Sequence, residues 1–263
     1  MKLFYRQYGE GQPLIILHGL FGQADNWNTL AKQFAAQGFD VYAVDQRNHG
    51  LSPHSEIWNY KAMSSDVLEL IKDHELRNVV LLGHSMGGKT AMQFAVEHPG
   101  YLDKLIVVDI APKYYPIHHQ LVLDALHAVD FNVVKSRKEA EAILSQYIED
   151  FGTKQFLLKN IFWTEDDEMA WRFNLDVITK EIENVGKEVE VVGDAPSTDI
   201  VSEVPALFIR GEHSHYILDT DLDLIQEIFP HSILETIKGS GHWVHAEKPK
   251  EFFDCVMKFI GRR

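Results

Sequence analysis

The candidate nucleophile of this sequence is Ser85, which lies in a segment reading Val-Val-Leu-Leu-Gly-His-Ser-Met-Gly-Gly over residues 79–88. Four apolar residues predict a short buried strand, residues 83–87 match G-x-S-x-G, and residues 89–98 have helical spacing. A serine at such a sharp strand-to-helix turn projects its hydroxyl into a cleft. The alternative is a glycine-rich turn whose serine only caps the helix. We therefore predict that Ser85 is the nucleophile of a hydrolytic reaction.

The base that such a serine needs is best supplied by His242. A serine hydroxyl is a poor nucleophile unless an adjacent base accepts its proton and a third group orients that base. His242 follows a predicted strand, residues 233–237, through Gly239-Ser240-Gly241. The glycines allow the imidazole to reach back over the nucleophile. His245 lies three residues further on and is the competing candidate.

The orienting acid is less obvious from the pattern. In sheets with such a strand-turn-helix nucleophile, the acid commonly follows the strand predicted here at residues 205–209. In this sequence Ser214 stands there instead of an aspartate. Glu212 and Asp219 are close in sequence, although off position. Asp109 ends the strand after the nucleophile's helix, and parallel strands end on the same edge of a sheet. We predict Asp109 as the acid, with Glu212 as the alternative.

Two backbone N–H groups are predicted to stabilise the oxyanion of the tetrahedral intermediate. The first belongs to Met86, at the helix start, where the helix dipole favours negative charge. The second is expected from the turn His-Gly-Leu-Phe-Gly at residues 18–22. By position we choose Leu20, with Phe21 as the close alternative, and we expect His18 to hold this loop.

Strands and helices alternate around these residues. The predicted strands are residues 2–8, 13–17, 39–44, 79–82, 102–108, 205–209 and 233–237, and the predicted helices are residues 26–37, 60–74, 89–98, 218–229 and 249–260. This order implies an α/β fold with a mostly parallel sheet and helices on both faces.

The alternation breaks between residues 113 and 203. This stretch has helical patterns at residues 117–128, 137–149 and 175–185, and one short strand-like run at residues 189–192. We predict a core formed by residues 1–112 and 204–263. Residues 113–203 are then a helical cap inserted over the carboxyl ends of the strands, where ligands bind in such sheets.

Composition excludes several classes of partner. The chain has 263 residues and a formal net charge of -14, which argues against nucleic acid or an anionic membrane as a partner. There is no pattern of a signal peptide and no apolar run near about 18 residues, so no membrane span is expected. The single cysteine, Cys255, excludes an intrachain disulfide. These features point to the cytoplasm.

Taken together, the motifs resemble the α/β-hydrolase superfamily. They are, in order, HGLFG, DQRNHGLS, GHSMGG, VDIAP and GSGHWVHAEKP. Within it, RNHGLSP, GHSMGGK, VDIAP and WRFN are similar to the YbfF-type esterases. The resemblance implies a serine carboxylesterase for short- to medium-chain acyl esters and perhaps for acyl-CoA thioesters. It also implies Asp109 as the acid. One departure is GEHSHY at residues 211–216, where GGNSPY is expected.

Four residues are candidates for contact with substrate, namely Phe21, Trp171, Arg172 and Trp243. Arg172 would suit an anionic group such as a CoA phosphate. The alternative for Trp171 and Arg172 is an aromatic patch that fastens the cap to the sheet, with Arg172 paired to an acid.

No cofactor and no metal are expected. The pairs His118-His119 and His213-x-His215 lack the four-ligand spacing of structural zinc. The expected partner is a small-molecule ester or thioester, and the chain is expected to be a monomer or a homodimer. The competing functions are a C–C bond hydrolase or perhydrolase with the same triad, and a non-catalytic ligand-binding protein.

Overall fold

The predicted strands assemble into one seven-stranded sheet. A computed structural model describes residues 1–190 and 202–261. The strands are β1 (Tyr5–Tyr8), β2 (Gln12–Leu17), β3 (Phe39–Val44), β4 (Val79–His84), β5 (Leu102–Val108), β6 (Ile161–Trp163), β7 (Met169–Trp171), β8 (Ala206–Gly211) and β9 (Ser232–Ile237). The sheet order is β1-β3-β2-β4-β5-β8-β9, with β6 and β7 in a separate hairpin. Only β1 pairs antiparallel to its neighbour within the sheet.

Helices connect and cover the strands. They are α1 (Asn28–Ala35), α2 (Tyr60–Asp73), α3 (Met86–Glu97), α4 (Gln120–His127), α5 (Arg137–Leu144), α6 (Phe151–Leu158), α7 (Leu175–Lys180), α8 (Glu183–Gly186), α9 (Leu222–Ile228), α10 (Val244–Glu247) and α11 (Pro249–Ile260). Short 3₁₀ turns precede α1, β5 and α9.

The core lies on both faces of the sheet because side chains alternate along a strand. In β4, Val79 and Leu81 pack on one face with residues of α2, α3 and α9. Val80 and Leu82 pack on the opposite face with residues of α1 and α11. A strand buried on both faces needs an unbroken apolar run, which is the pattern of these residues.

The sheet brings two of the candidate residues to one edge. Ser85 follows β4 and Asp109 follows β5, and these two strands are parallel neighbours. The N–H of Ser85 donates to the carbonyl oxygen of Val108 at 3.0 Å. The N–H of Asp109 in turn donates to the carbonyl oxygen of Ile209, in β8, at 2.7 Å. Both residues therefore lie at the carboxyl edge of the sheet.

A third apolar cluster joins residues 117–185 to this edge. It contains residues of α4, α5, α6 and α7 packed with Phe21, Trp58 and Met86. Buried Asn160 donates from Nδ2 to the carbonyl oxygen of Phe21 at 2.9 Å. Within residues 1–190 and 202–261, no helix combines the length and apolar character needed to cross a bilayer.

The segment after residue 113 differs from its prediction in detail. It contains the antiparallel hairpin β6–β7 and the helix α6, neither of which the pattern predicted. The predicted helix at residues 175–185 is divided into α7 and α8. Of the strand predicted at residues 189–192, Val189 and Glu190 are not in a strand, and the other two residues lie outside the described ones. Strands of three residues are too short to show a period of two.

Candidate active site

The turn that carries Ser85 requires glycine on both sides. Ser85 has φ 54° and ψ -119°, a strained conformation for a residue other than glycine. A Cβ at Gly83 would lie 2.1 Å from the carbonyl oxygen of Gly87. A Cβ at Gly87 would lie 2.4 Å from the carbonyl oxygen of Leu17. The turn between β4 and α3 can therefore close only with these glycines, and it presents Ser85 to a cavity.

Asp109 and His242 meet directly although 133 residues separate them. Nδ1 of His242 lies 2.7 Å from Oδ2 of Asp109. The Asp109 side chain is fully buried, whereas that of His242 is 25% exposed. A carboxylate only accepts hydrogen bonds, so Nδ1 carries the proton and Nε2 is left with a free lone pair in the neutral ring. This tautomer is the one a general base requires.

Three donors hold the Asp109 carboxylate. Oδ1 accepts the N–H of Gly211 at 3.0 Å. Oδ2 accepts from His242 and also from the hydroxyl of Ser214. Ser214 occupies the loop position at which the sequence analysis expected an aspartate. The carboxylate therefore reaches the histidine from β5, and the hydroxyl supports it from the loop after β8.

Two contacts orient the His242 ring and its backbone. The ring stacks on that of Tyr216, with centroids 4.1 Å apart. His84, directly before the serine, donates from Nε2 to the carbonyl oxygen of His242 at 2.9 Å. The competing candidate, His245, is stacked on Trp27 at 4.1 Å instead. The contact with a carboxylate is thus made by His242.

The other two acids near Ser214 have partners elsewhere. Glu212 accepts the N–H of Gly239 at 2.8 Å through Oε2. Asp219 forms an ion pair with Arg210 at 2.7 Å. Asp109, and not Glu212, is the carboxylate in contact with His242.

The two alternatives for the second oxyanion donor differ in their hydrogen bonds. Phe21 has φ 60°, and its N–H donates to Nε2 of His49 at 3.2 Å. In the part of the chain that the structure describes, no acceptor is found for the N–H of Leu20. Met86 is the first residue of α3, so its N–H has no acceptor within the helix either. The amides of Leu20 and Met86, the two predicted oxyanion donors, therefore have no protein acceptor among the described residues, whereas that of Phe21 has one.

Two buried histidines, both neutral, hold the loop of residues 18–22. His49 accepts the Phe21 N–H at Nε2, and its Nδ1 lies 3.0 Å from the carbonyl oxygen of Arg47. His18 accepts the N–H of Gln46 at Nε2, with Nδ1 2.8 Å from the carbonyl oxygen of Gly19. Because each Nε2 accepts, each proton is on Nδ1. Burial lowers the pKa of His18 to about 4 and that of His49 to about 3.

These histidines predict a loss of stability in acid. Burial also lowers the pKa of His84 well below 6.5, that of His119 to about 4 and that of His245 to about 3. Between about pH 6.5 and pH 4, the unfolded chain binds protons that the native chain does not. The free energy of unfolding should therefore fall as the pH falls, by up to about 1.4 kcal/mol per pH unit for each such histidine.

Urea unfolding at several pH values between about 7.5 and 5 measures this dependence. Replacing His49 with glutamine should reduce the proton uptake on unfolding by about one. An unfolding free energy that is constant over this range would show that these histidines are not held neutral.

A cavity of about 560 Å³ is lined by several of the candidate site residues. Ser85, His242 and Leu20 line it, and so do Phe21 and Trp243, two of the four predicted substrate contacts. Its size is that of typical small-molecule sites.

Trp171 and Arg172 do not line this cavity, which corrects their predicted role. Trp171 stacks on Phe173 with centroids 5.3 Å apart. The guanidinium of Arg172 lies over the ring of Phe162, 4.5 Å from its centroid, and borders a separate cavity of about 60 Å³. Trp171 ends β7 and Arg172 directly follows it, and both side chains pack on aromatic rings outside the cavity that Ser85 lines.

Four residues contact the predicted site residues but were not predicted to do so. They are His49, His84, Ser214 and Tyr216. The signal for His84 is its place inside G-x-S-x-G, and the signal for Ser214 is its place where an acid was expected. His49 lies within DQRNHGLS and Tyr216 ends GEHSHY, but neither segment shows which residue the side chain contacts, because these contacts are made across the fold.

The histidine pair at residues 118 and 119 borders the same cavity. The rings lie 4.2 Å apart, and Nε2 of His118 is 2.7 Å from the hydroxyl of Tyr216. Within the described residues, no group of three or more His, Cys, Asp or Glu side chains is arranged to hold a metal ion.

Comparison with known proteins identifies the family. Residues 12–249 match the alpha/beta hydrolase fold family. Esterase YbfF of Escherichia coli strain K12 is 36% identical over 251 residues, covering 95% of this chain and 92% of the relative. The sn-1-specific diacylglycerol lipase ABHD11 of Xenopus laevis is 36% identical over 258 residues, covering 95% of this chain and 80% of the relative. The chain belongs to the α/β-hydrolase family.

A solved structure agrees in fold and in sequence. A marine microorganism esterase has a TM-score of 0.93 and 46% identity, with 98% of this chain and 99% of that chain covered. The protein is a serine hydrolase, as the sequence analysis predicted, and its resemblance to YbfF-like esterases is confirmed.

Proposed function

We propose that the protein is a carboxylesterase in which Ser85, His242 and Asp109 form the catalytic triad. The observation that carries this proposal is the 2.7 Å contact between His242 and buried Asp109, beside a cavity that Ser85 also lines. A histidine in the correct tautomer, on the cavity side of a buried carboxylate, is what nucleophilic activation of a serine needs.

The reaction proceeds through an acyl-enzyme. Oγ of Ser85 attacks the ester carbonyl while Nε2 of His242 takes the hydroxyl proton. The tetrahedral intermediate collapses, the C–O bond to the leaving group breaks, and His242 returns the proton to the leaving oxygen. Water then attacks the acyl carbon with His242 as base, which releases the acid and restores Ser85. Asp109 stabilises the imidazolium in both halves.

Leu20 and Met86 are the proposed oxyanion donors. Among the described residues neither amide has a protein acceptor, whereas the Phe21 amide is already engaged by His49. Preorganised donors of this kind stabilise the developing charge by several kcal/mol, about 2.7–4 for one donor. Phe21 and Trp243 contribute apolar wall to the cavity and are the proposed substrate contacts.

The proposed division of the chain follows from the packing. Residues 1–112 and 204–263 form the core, and residues 113–203 form an insertion over the carboxyl edge of the sheet. Support comes from the third apolar cluster, which joins α4 to α7 with Phe21 and Met86 beside Ser85. An insertion in this place bounds the substrate cavity, since α6 supplies Phe156 to its wall.

The proposed substrates are esters of short to medium acyl chains, and short acyl-CoA thioesters are the second proposed class. Both pass through the same tetrahedral chemistry. The relatives carry names from esterase to sn-1-specific diacylglycerol lipase, so their names alone do not define an acyl length for this chain.

A fluorophosphonate probe followed by a substrate series tests the proposal. The probe should label Ser85 in the folded protein. In a p-nitrophenyl ester series from acetate to dodecanoate, run beside short acyl-CoAs, activity should be highest toward the shorter acyl chains. Absence of labelling would contradict the proposed catalytic triad. Labelling without hydrolysis of any ester would favour C–C bond hydrolysis or perhydrolysis on the same residues.

Ser214 is expected to act as a positioning residue. Ser214→Ala removes one of three hydrogen bonds to the Asp109 carboxylate, so kcat should fall by about tenfold while KM changes little. Ser214→Thr retains the hydroxyl and should restore most of the rate. Steady-state kinetics of the two variants measure this, and a wild-type kcat for Ser214→Ala would contradict the role.

A further inference from the structure

Two cavities of very different size meet at Ser85. The larger measures about 560 Å³ and the smaller about 20 Å³. The residues that border both are Leu20, Ser85, His118, His119 and Tyr216. The nucleophile therefore borders both a large chamber and a small one, and an ester bound to it can place one of its two halves in each.

The position of His242 decides which half goes where. The histidine that accepts the serine proton also delivers a proton to the leaving-group oxygen, so the leaving group must lie beside it. Among the described residues, His242 lines the large chamber and is absent from the wall of the small one. Met86, a proposed oxyanion donor, lines the small chamber instead. The alcohol therefore occupies the large chamber, and the acyl group points into the small one.

Partly buried hydrogen bonds hold two tyrosines in the wall of the small chamber. The hydroxyl of Tyr60 donates to the carbonyl oxygen of Val185 at 2.7 Å, and that of Tyr115 donates to the carbonyl oxygen of Tyr216. The Lys89 ammonium lies 5.7 Å from the Tyr60 ring centroid and 4.8 Å from that of Tyr115. Because each of these side chains has fixed partners, rotation of one of them cannot enlarge the chamber without breaking a buried bond.

The apolar side chains that border only the small chamber are those of Met86, Ile110, Pro116, Ile117 and Val185. Met86 and Ile110 are buried in the core, whereas Ile117 is not fully buried and packs beside Gly186. A Cβ at Gly186 would lie 3.1 Å from Cδ1 of Ile117, so the two residues are in close contact. Ile117 is half-buried and borders the small chamber, but not the large one. Shortening this side chain can therefore lengthen the small chamber without breaking a hydrogen bond or opening the core.

We propose that the enzyme is specific for very short acyl groups, acetyl or propionyl, on large alcohols, and that Ile117 is the residue that sets this limit. The proposal rests on the esterase function proposed above. About 10–15 Å³ of such volume holds one water, so about 20 Å³ admits one or two non-hydrogen atoms beyond the carbonyl. The large chamber accommodates a drug-sized alcohol.

Two substrate series on the wild-type enzyme test the assignment of the chambers. With p-nitrophenol as a constant leaving group, kcat/KM should fall by at least about tenfold from acetate to hexanoate. With acetyl as a constant acyl group, esters of 1-naphthol and of larger aromatic alcohols should be accepted within a few-fold of p-nitrophenyl acetate.

Matched truncations in the two chambers test the role of Ile117. Ile117→Ala should raise kcat/KM for the butyrate and hexanoate by about tenfold and change that for the acetate little. Val122→Ala, in the wall of the large chamber only, should leave the acyl-length profile unchanged. A wild-type optimum at octanoate or longer, or a profile that broadens with Val122→Ala and not with Ile117→Ala, would overturn the proposal. If the wild type hydrolyses none of the esters, the proposed esterase function itself is contradicted.

Discussion

Replacing Ser85 with alanine is expected to lower kcat/KM for ester hydrolysis by at least about 10⁴-fold. The variant loses the only atom that can form the acyl-enzyme, while the amides of Leu20 and Met86 can still polarise the carbonyl. A slow attack by water should therefore remain. Initial rates with p-nitrophenyl acetate, and the absence of a pre-steady-state burst of p-nitrophenol, measure the effect.

The matched control is Ser145→Ala, at a serine that contacts Lys154 outside the cavity. It should keep the wild-type rate. The variant at position 85 should also keep the wild-type fold, because alanine adds no atom to the turn. If Ser85→Ala retained more than a tenth of the activity, hydrolysis would proceed without a serine nucleophile.

Replacing Asp109 with asparagine should lower kcat by about 10³–10⁴-fold with little effect on KM. The amide group can donate to Nδ1 of His242, which would place the ring proton on Nε2 and remove the lone pair of the proposed base. It also leaves the imidazolium of the transition state without its negative partner. The Asp109 side chain does not line the cavity, so substrate binding should persist.

Glu212→Gln is the matched comparison, since it makes the same carboxylate-to-amide change in the loop after β8. Glu212 accepts only the Gly239 N–H among its described contacts, so the variant should stay within about threefold of the wild type. The opposite ranking of the two variants would assign the acid to Glu212. Fluorophosphonate labelling rates of both variants separate loss of nucleophile activation from loss of turnover.

The sequence was sufficient for the parts of the protein that are built from local pattern. The apolar run of β4, the glycines at positions 83 and 87, and the helix after them are consecutive, and together they predicted the turn at Ser85. The strands β3 and β5 and the helix α11 were predicted with the bounds that the structure has. Local pattern was insufficient after residue 113, where β6 and β7 have three residues each.

Tertiary structure decided the questions that depend on contacts between distant residues. Sequence left Asp109 and Glu212 as competing acids, and only the parallel pairing of β4, β5 and β8 brings Asp109 to His242. It also left Leu20 and Phe21 open, and the distinction rests on His49, 28 residues further along the chain.

Contacts between distant segments also explain why Trp171 and Arg172 do not line the cavity, although they were predicted to contact substrate. Their residue types suit a substrate pocket, but the direction of a side chain on a hairpin depends on how that hairpin packs. Residue type and spacing therefore determined which chemistry this chain can perform, because a sharp turn, a glycine and a hydroxyl are local properties. The folded structure decided which acid contacts the histidine, which amide is left without an acceptor and which side chains line the cavity, because hydrogen bonds and cavities form between segments that are far apart in the sequence.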